Sequence, residues 1–165
     1  MIGEGAAWFG GRVPKAPAEE VVLLAVLGEV AATTGDRRRA YSLAALIQST
    51  KPNNPRALVI SSIANYELGN VHESLGNAIH ANKVSPQEQT AILQLMKCHN
   101  KLADFYSVIA AFKAITVNVQ AMPEIYAQLG VAYARLDNVA HAVNAYRQAL
   151  KLLYAFRHFA FPLMP

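Results

Sequence analysis

The chain has a single cysteine, Cys98, among 165 residues, so no disulfide can close within it. A lone thiol fits a reducing compartment. The apolar run 21–27 is far short of the roughly 20 residues a membrane-spanning helix needs, so no membrane span is expected. The start, Met1-Ile2-Gly3-Glu4-Gly5, has an acidic residue and no basic segment, unlike a secretory signal. A cytoplasmic location is the expectation from these absences. Charge is scarce too, at 16% of residues, while 53% are apolar. That much apolar surface must be buried, inside the fold or against a partner, and it argues against disorder over most of the chain. Long stretches lack both Gly and Pro, and Ala is abundant, which favours helix.

Reactive constellations are missing as well. His72, His80, His99, His141 and His158 include no pair with Cys at metal-ligand spacing. His72 and His80 would lie about 12 Å apart along one helix. Cys98 has no neighbouring base motif and reads as a buried, inert thiol. The glycines near the start are not followed by Gly-Lys-Ser/Thr, so they form no phosphate loop. Glu19 and Glu20 suit the first turn of a helix by its dipole alone. No catalytic residue, cofactor or metal is therefore expected, and the chain does not read as an enzyme. The net charge of +4 is mild. Its one dense basic run, Arg37, Arg38 and Arg39, has no interleaved aromatics and reads as a solvated helix start. No nucleic-acid partner is expected.

What is present is a repeat. Segments 21–54, 55–88, 89–122 and 123–156 align without a gap at a spacing of 34 residues. One column holds Leu24, Leu58, Ile92 and Tyr126, and the next Leu27, Ser61, Leu95 and Leu129. Gly28, Ser62, Met96 and Gly130 follow, then Ala40, Ser74, Val108 and Ala142. A further column holds Ala44, Ala78, Phe112 and Tyr146, and another Ile47, Ala81, Ile115 and Ala149. Between the two sets lies a turn column, Gly35, Gly69, Ala103 and Asp137, each followed by Asp or Asn. Spacings of three and four place Leu24, Leu27 and Ala31 on one helical stripe, with Ala40, Ala44 and Ile47 on a second. The turn column ends the first helix in a left-handed residue, and the Asp or Asn after it caps the second. Pro52 and Pro86 close the second helices of their units. Eight helices are predicted, near 18–34, 36–50, 55–68, 71–84, 87–101, 104–118, 123–136 and 139–158.

The last segment resembles the tetratricopeptide repeat most closely, through Tyr126, Leu129-Gly130, Tyr133, Ala142, Tyr146 and Ala149. Tyr154 stands where that family has a closing proline. The first segment keeps Leu27-Gly28 and Ala40 and ends Lys51-Pro52-Asn53-Asn54. The middle two are degenerate, with Asn65 and His99 in place of the usual Tyr. The resemblance implies an all-α fold, a right-handed superhelix of four helix-turn-helix repeats over 18–158. Before it lies a Gly/Pro-rich arm at 1–17 carrying Trp8 and Phe9, and after it an apolar tail at 159–165.

The resemblance also implies that a ligand lies along the concave face formed by the first helices of the pairs. Projected onto this chain, that face includes Val22, Val26 and Glu29, then Val59, Ile60, Ile63 and Tyr66. The third repeat adds Leu93, Gln94, Lys97, Asn100 and Lys101, and the fourth adds Val131. One branch of the family clamps a C-terminal carboxylate with Lys, Asn and Arg. The matching places here are Ala25, Glu29, Ile60, Thr90 and Gln94, so the clamp is absent. The N-terminal half of the face is apolar and suits a hydrophobic segment, unless its side chains simply pack between units or lie under the arm. Two functions follow. One is a non-enzymatic module or chaperone that holds an apolar or amphipathic segment of another protein, resembling in size the small tetratricopeptide chaperones of bacterial type III secretion. The other is a self-assembling scaffold, a homo-oligomer joined through repeat ends and the aromatic residues Phe156, Phe159 and Phe161.

Overall fold

A computed structural model describes residues 20–115 and 122–160, the last five through their backbone alone. The arm at 1–17, Phe161 and the side chains of Phe156 and Phe159 lie outside what is described. Eight helices appear among the described residues: α1 (Val21–Thr33), α2 (Arg37–Thr50), α3 (Pro55–Glu67), α4 (Val71–Val84), α5 (Gln89–Lys101), α6 (Phe105–Lys113), α7 (Pro123–Arg135) and α8 (Val139–Ala160). They form four helix-turn-helix pairs. The bounds agree with the predicted ones to within three residues except at the end of α6. α6 stops at Lys113, just before the β-branched run Ile115-Thr116-Val117, which restricts side-chain freedom in a helix. α8 continues to Ala160, because the first residue unable to extend a helix is Pro162.

The turns within the pairs are four copies of one structure. Gly35, Gly69, Ala103 and Asp137 all have positive φ, at 83°, 86°, 60° and 55°. The amide after each reaches back to the first helix: Asp36 to the Ala31 carbonyl, Asn70 to Asn65, Asp104 to His99 and Asn138 to Tyr133, each at 2.9 Å. This is the closure that satisfies the last carbonyls of a helix. Glycine enters the left-handed region without steric cost, whereas Ala103 does so against its Cβ. The capping expectation also holds in three turns, where the carbonyl or carboxylate oxygen of Asp36, Asp104 and Asn138 accepts from the amides of Arg39, Ser107 and His141. Asn54 caps α3 through the Ala57 amide, with Pro55 at the first helical position.

Asp104 does more than cap. Its Oδ2 lies 3.2 Å from His99 Nδ1, on the helix before the turn. Hydrogen bonding from Ser107, above all, and also the neighbouring His99 hold the carboxyl below its ordinary value, against the opposing effect of burial. We expect Asp104→Ala to lower stability by about 1 kcal/mol, as loss of a cap does. A carboxyl with a depressed folded pKa stabilises above its unfolded value, near 3.8, and ceases to do so as pH falls through the folded one. Thermal melts of wild type and variant should differ at pH 7 and converge as pH falls through the folded value, which lies below 3.8. An equal gap throughout would assign the loss to packing.

The helices fall into two compact units, Met1–Gln94 and Leu95–Pro165, which divide within α5. In the first, α1 packs on α2, α2 on α3 and α3 on α4. Ala31, Ala32, Ala40 and Ala44 surround Ile60 and Ala64. A second cluster joins Val21, Ala25, Ile47 and Ala57. Where the other repeats place Gly or Met and Ala or Val, the second repeat faces Ser62 against Ser74, and both are fully buried. The two hydroxyls satisfy each other, with Ser62 Oγ donating to the Ser74 carbonyl at 2.8 Å and Ser74 Oγ to the Ser62 carbonyl at 2.7 Å. In the second unit α7 packs on α6 and α8. Phe112 meets Tyr126 edge to face with ring centroids 5.3 Å apart.

Candidate protein-binding surface

Unit 1 sorts the predicted groove residues by burial. Val22 and Val26 are exposed, at 66% and 43%. Glu29, Ile63, Tyr66 and Leu93 are half-buried. Glu29 Oε1 is held 3.1 Å from Arg56 Nε. Val59, Ile60 and Gln94 are buried, and here the groove expectation is corrected. Ile60 is fully enclosed by the alanines of α1 and α2, and Val59 packs with Leu58, Ala81 and Ala91. α3 is an inner helix with neighbours on several sides, so its apolar residues on the outward stripe are consumed by packing. Ala25, also placed on the outward face by sequence, is only 1% exposed.

Unit 2 holds the polar part of the predicted set. Lys97 and Val131 are half-buried and Lys101 is exposed. Asn100 spends its amide on α7, with Nδ2 donating to both the carbonyl and Oε1 of Gln128 at 2.9 Å. It fastens α5 to α7 and is a packing residue first. Cys98 is fully buried. His99 sits at the turn with Asp104 rather than free in the core. Arg37, Arg38 and Arg39 are exposed, with Arg37 3.8 Å from Glu67. Among the described residues no three His, Cys, Asp or Glu side chains are grouped as a metal site would require. No described helix is long and apolar enough to cross a membrane.

Sequence reasoning missed part of an exposed apolar surface on α1. Leu23, Leu27 and Val30 are 60%, 37% and 54% exposed, beside Val22 and Val26. The repeat pattern places Leu27 on the inner stripe with Leu24 and Ala31, and the structure corrects this. The opposite side of the same helix, Val21, Ala25, Gly28, Ala31 and Ala32, is buried. α1 is thus apolar all round, which is the pattern of a helix covered on every side, yet half of it faces outward. The available signal was its composition, since a helix with one buried face has no need of Val or Leu at 22, 23, 26, 27 and 30. α8 shows a second such face, with Val143, Leu150 and Leu153 at 42%, 53% and 50%.

Four pairs with identical turns, small residues at the helix crossings and a common spacing define a class: an all-α protein of tetratricopeptide-like helix pairs. Residues 123–152 match the family model described as tetratricopeptide repeat. Among solved structures the chain is similar to MamA, from residue 41 to its end, of Desulfovibrio magneticus RS-1, with a TM-score of 0.67 and 18% identity over 83% of this chain and 77% of that one. It is also similar to a thermophilic tetratricopeptide protein of Thermus thermophilus, with a TM-score of 0.69 and 19% identity over 80% of this chain and 73% of that one. No curated protein matches the sequence. Identities this low speak for the fold alone, and the comparisons lend no support to a type III secretion chaperone.

Proposed function

We propose that this chain is a non-enzymatic protein-holding module, and that α1 presents the surface on which an apolar or amphipathic segment of a partner protein is held. One observation carries this reading: Val22, Leu23, Val26, Leu27 and Val30 form a continuous outward apolar face on a helix whose other side is already packed. An exposed face of that kind is costly in water and is relieved by a complementary apolar segment. The half-buried Ile63 and Tyr66 in the same unit supply neighbouring surface of the predicted groove. In the finer form of the proposal, the held segment is one that aggregates when free, which makes the module a chaperone.

The test is Val22→Glu with Val26→Glu. Both side chains are exposed, so the melting temperature should hold within the small range of surface substitutions, about 0.5 kcal/mol in stability. Immobilised wild type should retain a partner from a lysate of its source, and the folded variant should lose it. Equal retention by the two would remove α1 from the reading.

A further inference from the structure

We propose that the segment held by α1 is α8 of a second copy of this chain, so that α8 of one molecule receives α1 of the next, head to tail. This rests on the reading of α1 as a protein-holding face and names what it holds.

The molecule contains the template for such a junction. Where α3 sits on α2, Ile60 and Ala64 pack with Ala40 and Ala44. Ala57 packs with Ile47. Ser61 Oγ accepts from Gln48 Nε2 at 3.4 Å. The repeat of 34 residues translates each side of this contact to the outer helices. One repeat back from Ala57, Ile60, Ser61 and Ala64 stand Leu23, Val26, Leu27 and Val30, the exposed stripe of α1. Three repeats on from Ala40, Ala44, Ile47 and Gln48 stand Ala142, Tyr146, Ala149 and Leu150. Of these, Ala142 and Ala149 are already buried within the molecule, whereas Tyr146 and Leu150 are 38% and 53% exposed, flanked by Val143 and Leu153. Among the described residues, then, one face of the α2–α3 contact recurs exposed on α1, and the other recurs on α8 with Tyr146 and Leu150 exposed.

The residues on the two faces change in compensating ways. The polar pair Ser61–Gln48 becomes Leu27 opposite Leu150, apolar on both sides. The small-to-large pair Ala57–Ile47 becomes Leu23 opposite Ala149, large to small, so the summed volume is kept. Val26 and Val30 face the set Ala142 and Tyr146, as Ile60 and Ala64 pack with the set Ala40 and Ala44. α8 carries Arg147 and Lys151, both exposed, and no acidic residue, while the one acidic residue of α1, Glu29, is already paired with Arg56 of its own molecule. Because the two faces differ, a single head-to-tail contact leaves one face of each kind open on the pair, and association by such contacts propagates.

The test uses full-length chains and sedimentation velocity over a concentration series. Wild type should gain mass with concentration beyond a dimer. Leu23→Glu spoils α1 and leaves α8 intact; Leu150→Glu does the reverse. Both positions are half exposed or more, and unchanged melting temperatures confirm the fold. Leu23→Gln and Leu150→Gln serve as milder partners should a carboxylate disturb it. Each variant alone should remain a monomer. An equimolar mixture has one intact face of each kind and should form a one-to-one dimer and nothing larger. Self-association that survives Leu150→Glu would mean an α1–α1 contact and overturn the proposal. So would a wild type that stays monomeric at every concentration. In that case, a lysate partner still lost by Val22→Glu with Val26→Glu leaves the protein-holding reading standing with a different occupant. Retention unchanged by that pair removes both.

Discussion

Truncating Ile60 to alanine is expected to lower the stability of the N-terminal unit by about 2–5 kcal/mol, toward the upper end of that range. The side chain has no exposed surface. Its neighbours in the cluster are Ala31, Ala32, Ala40, Ala44 and Ala64. An alanine has no rotamer to swing into a void, so the space left by Ile60 would stay largely empty, and it is this residual cavity that sets the spread in such substitutions. Gly28 makes the dependence sharper. A Cβ placed there would lie 2.9 Å from Ile60 Cδ1, so the isoleucine is seated against bare backbone that the glycine leaves open. The measurement is a urea or thermal titration beside Ile79→Ala, which removes a side chain of the same type at 50% exposure. That control should change stability by no more than about 0.5 kcal/mol. Similar losses at the two positions would contradict the packing of α1, α2 and α3.

Ile60 also shows how far the sequence could be read. The repeat made the fold legible, because its spacing depends on local rules that hold wherever the unit recurs. The turn column is left-handed in all four copies, even where it holds Ala103 and Asp137 in place of glycine. Small residues at Gly28, Ala40 and Ala142 mark the helix crossings, and all are buried. The candidate site was less legible for a physical reason. An apolar residue on the outward stripe of a first helix looks the same whether it meets solvent, as Val22 does, or a neighbouring helix, as Ile60 does. Which one holds depends on the helices on either side, and the repeat pattern describes a unit rather than its position in the array. Leu27 and Ser61 occupy one column, yet Leu27 is 37% exposed and Ser61 only 5%. The column therefore identifies the contact, and the neighbours decide whether it is made.

Gly130→Leu tests the same logic at the best-preserved repeat, and we expect it to lower stability by about 1–3 kcal/mol. A Cβ at Gly130 would meet the Tyr146 ring at 2.7 Å from Cε1 and 2.8 Å from Cδ1 and Cζ. Those distances are shorter than side chains tolerate, so the ring must move. Two effects oppose each other here. Replacing a glycine inside a helix should favour folding by about 1 kcal/mol through backbone entropy alone. Against that stands the loss of the ring's seat on α7, where it crosses closest to α8. For alanine the two should nearly cancel, because Tyr146 is 38% exposed and has room to swing outward. For leucine the branched side chain cannot be accommodated by a ring shift alone, and the helices must separate. For a chain of this size each kcal/mol corresponds to about 2–4 °C in melting temperature. Tyr146→Ala in the Gly130→Ala background separates the two effects. With the ring gone, alanine at 130 should be more stabilising than it is beneath the tyrosine, which a double-mutant cycle reads as a favourable coupling. An unshifted melting temperature for Gly130→Leu would mean that the ring does not lie on Gly130, and the register that places α8 on α7 would fall with it.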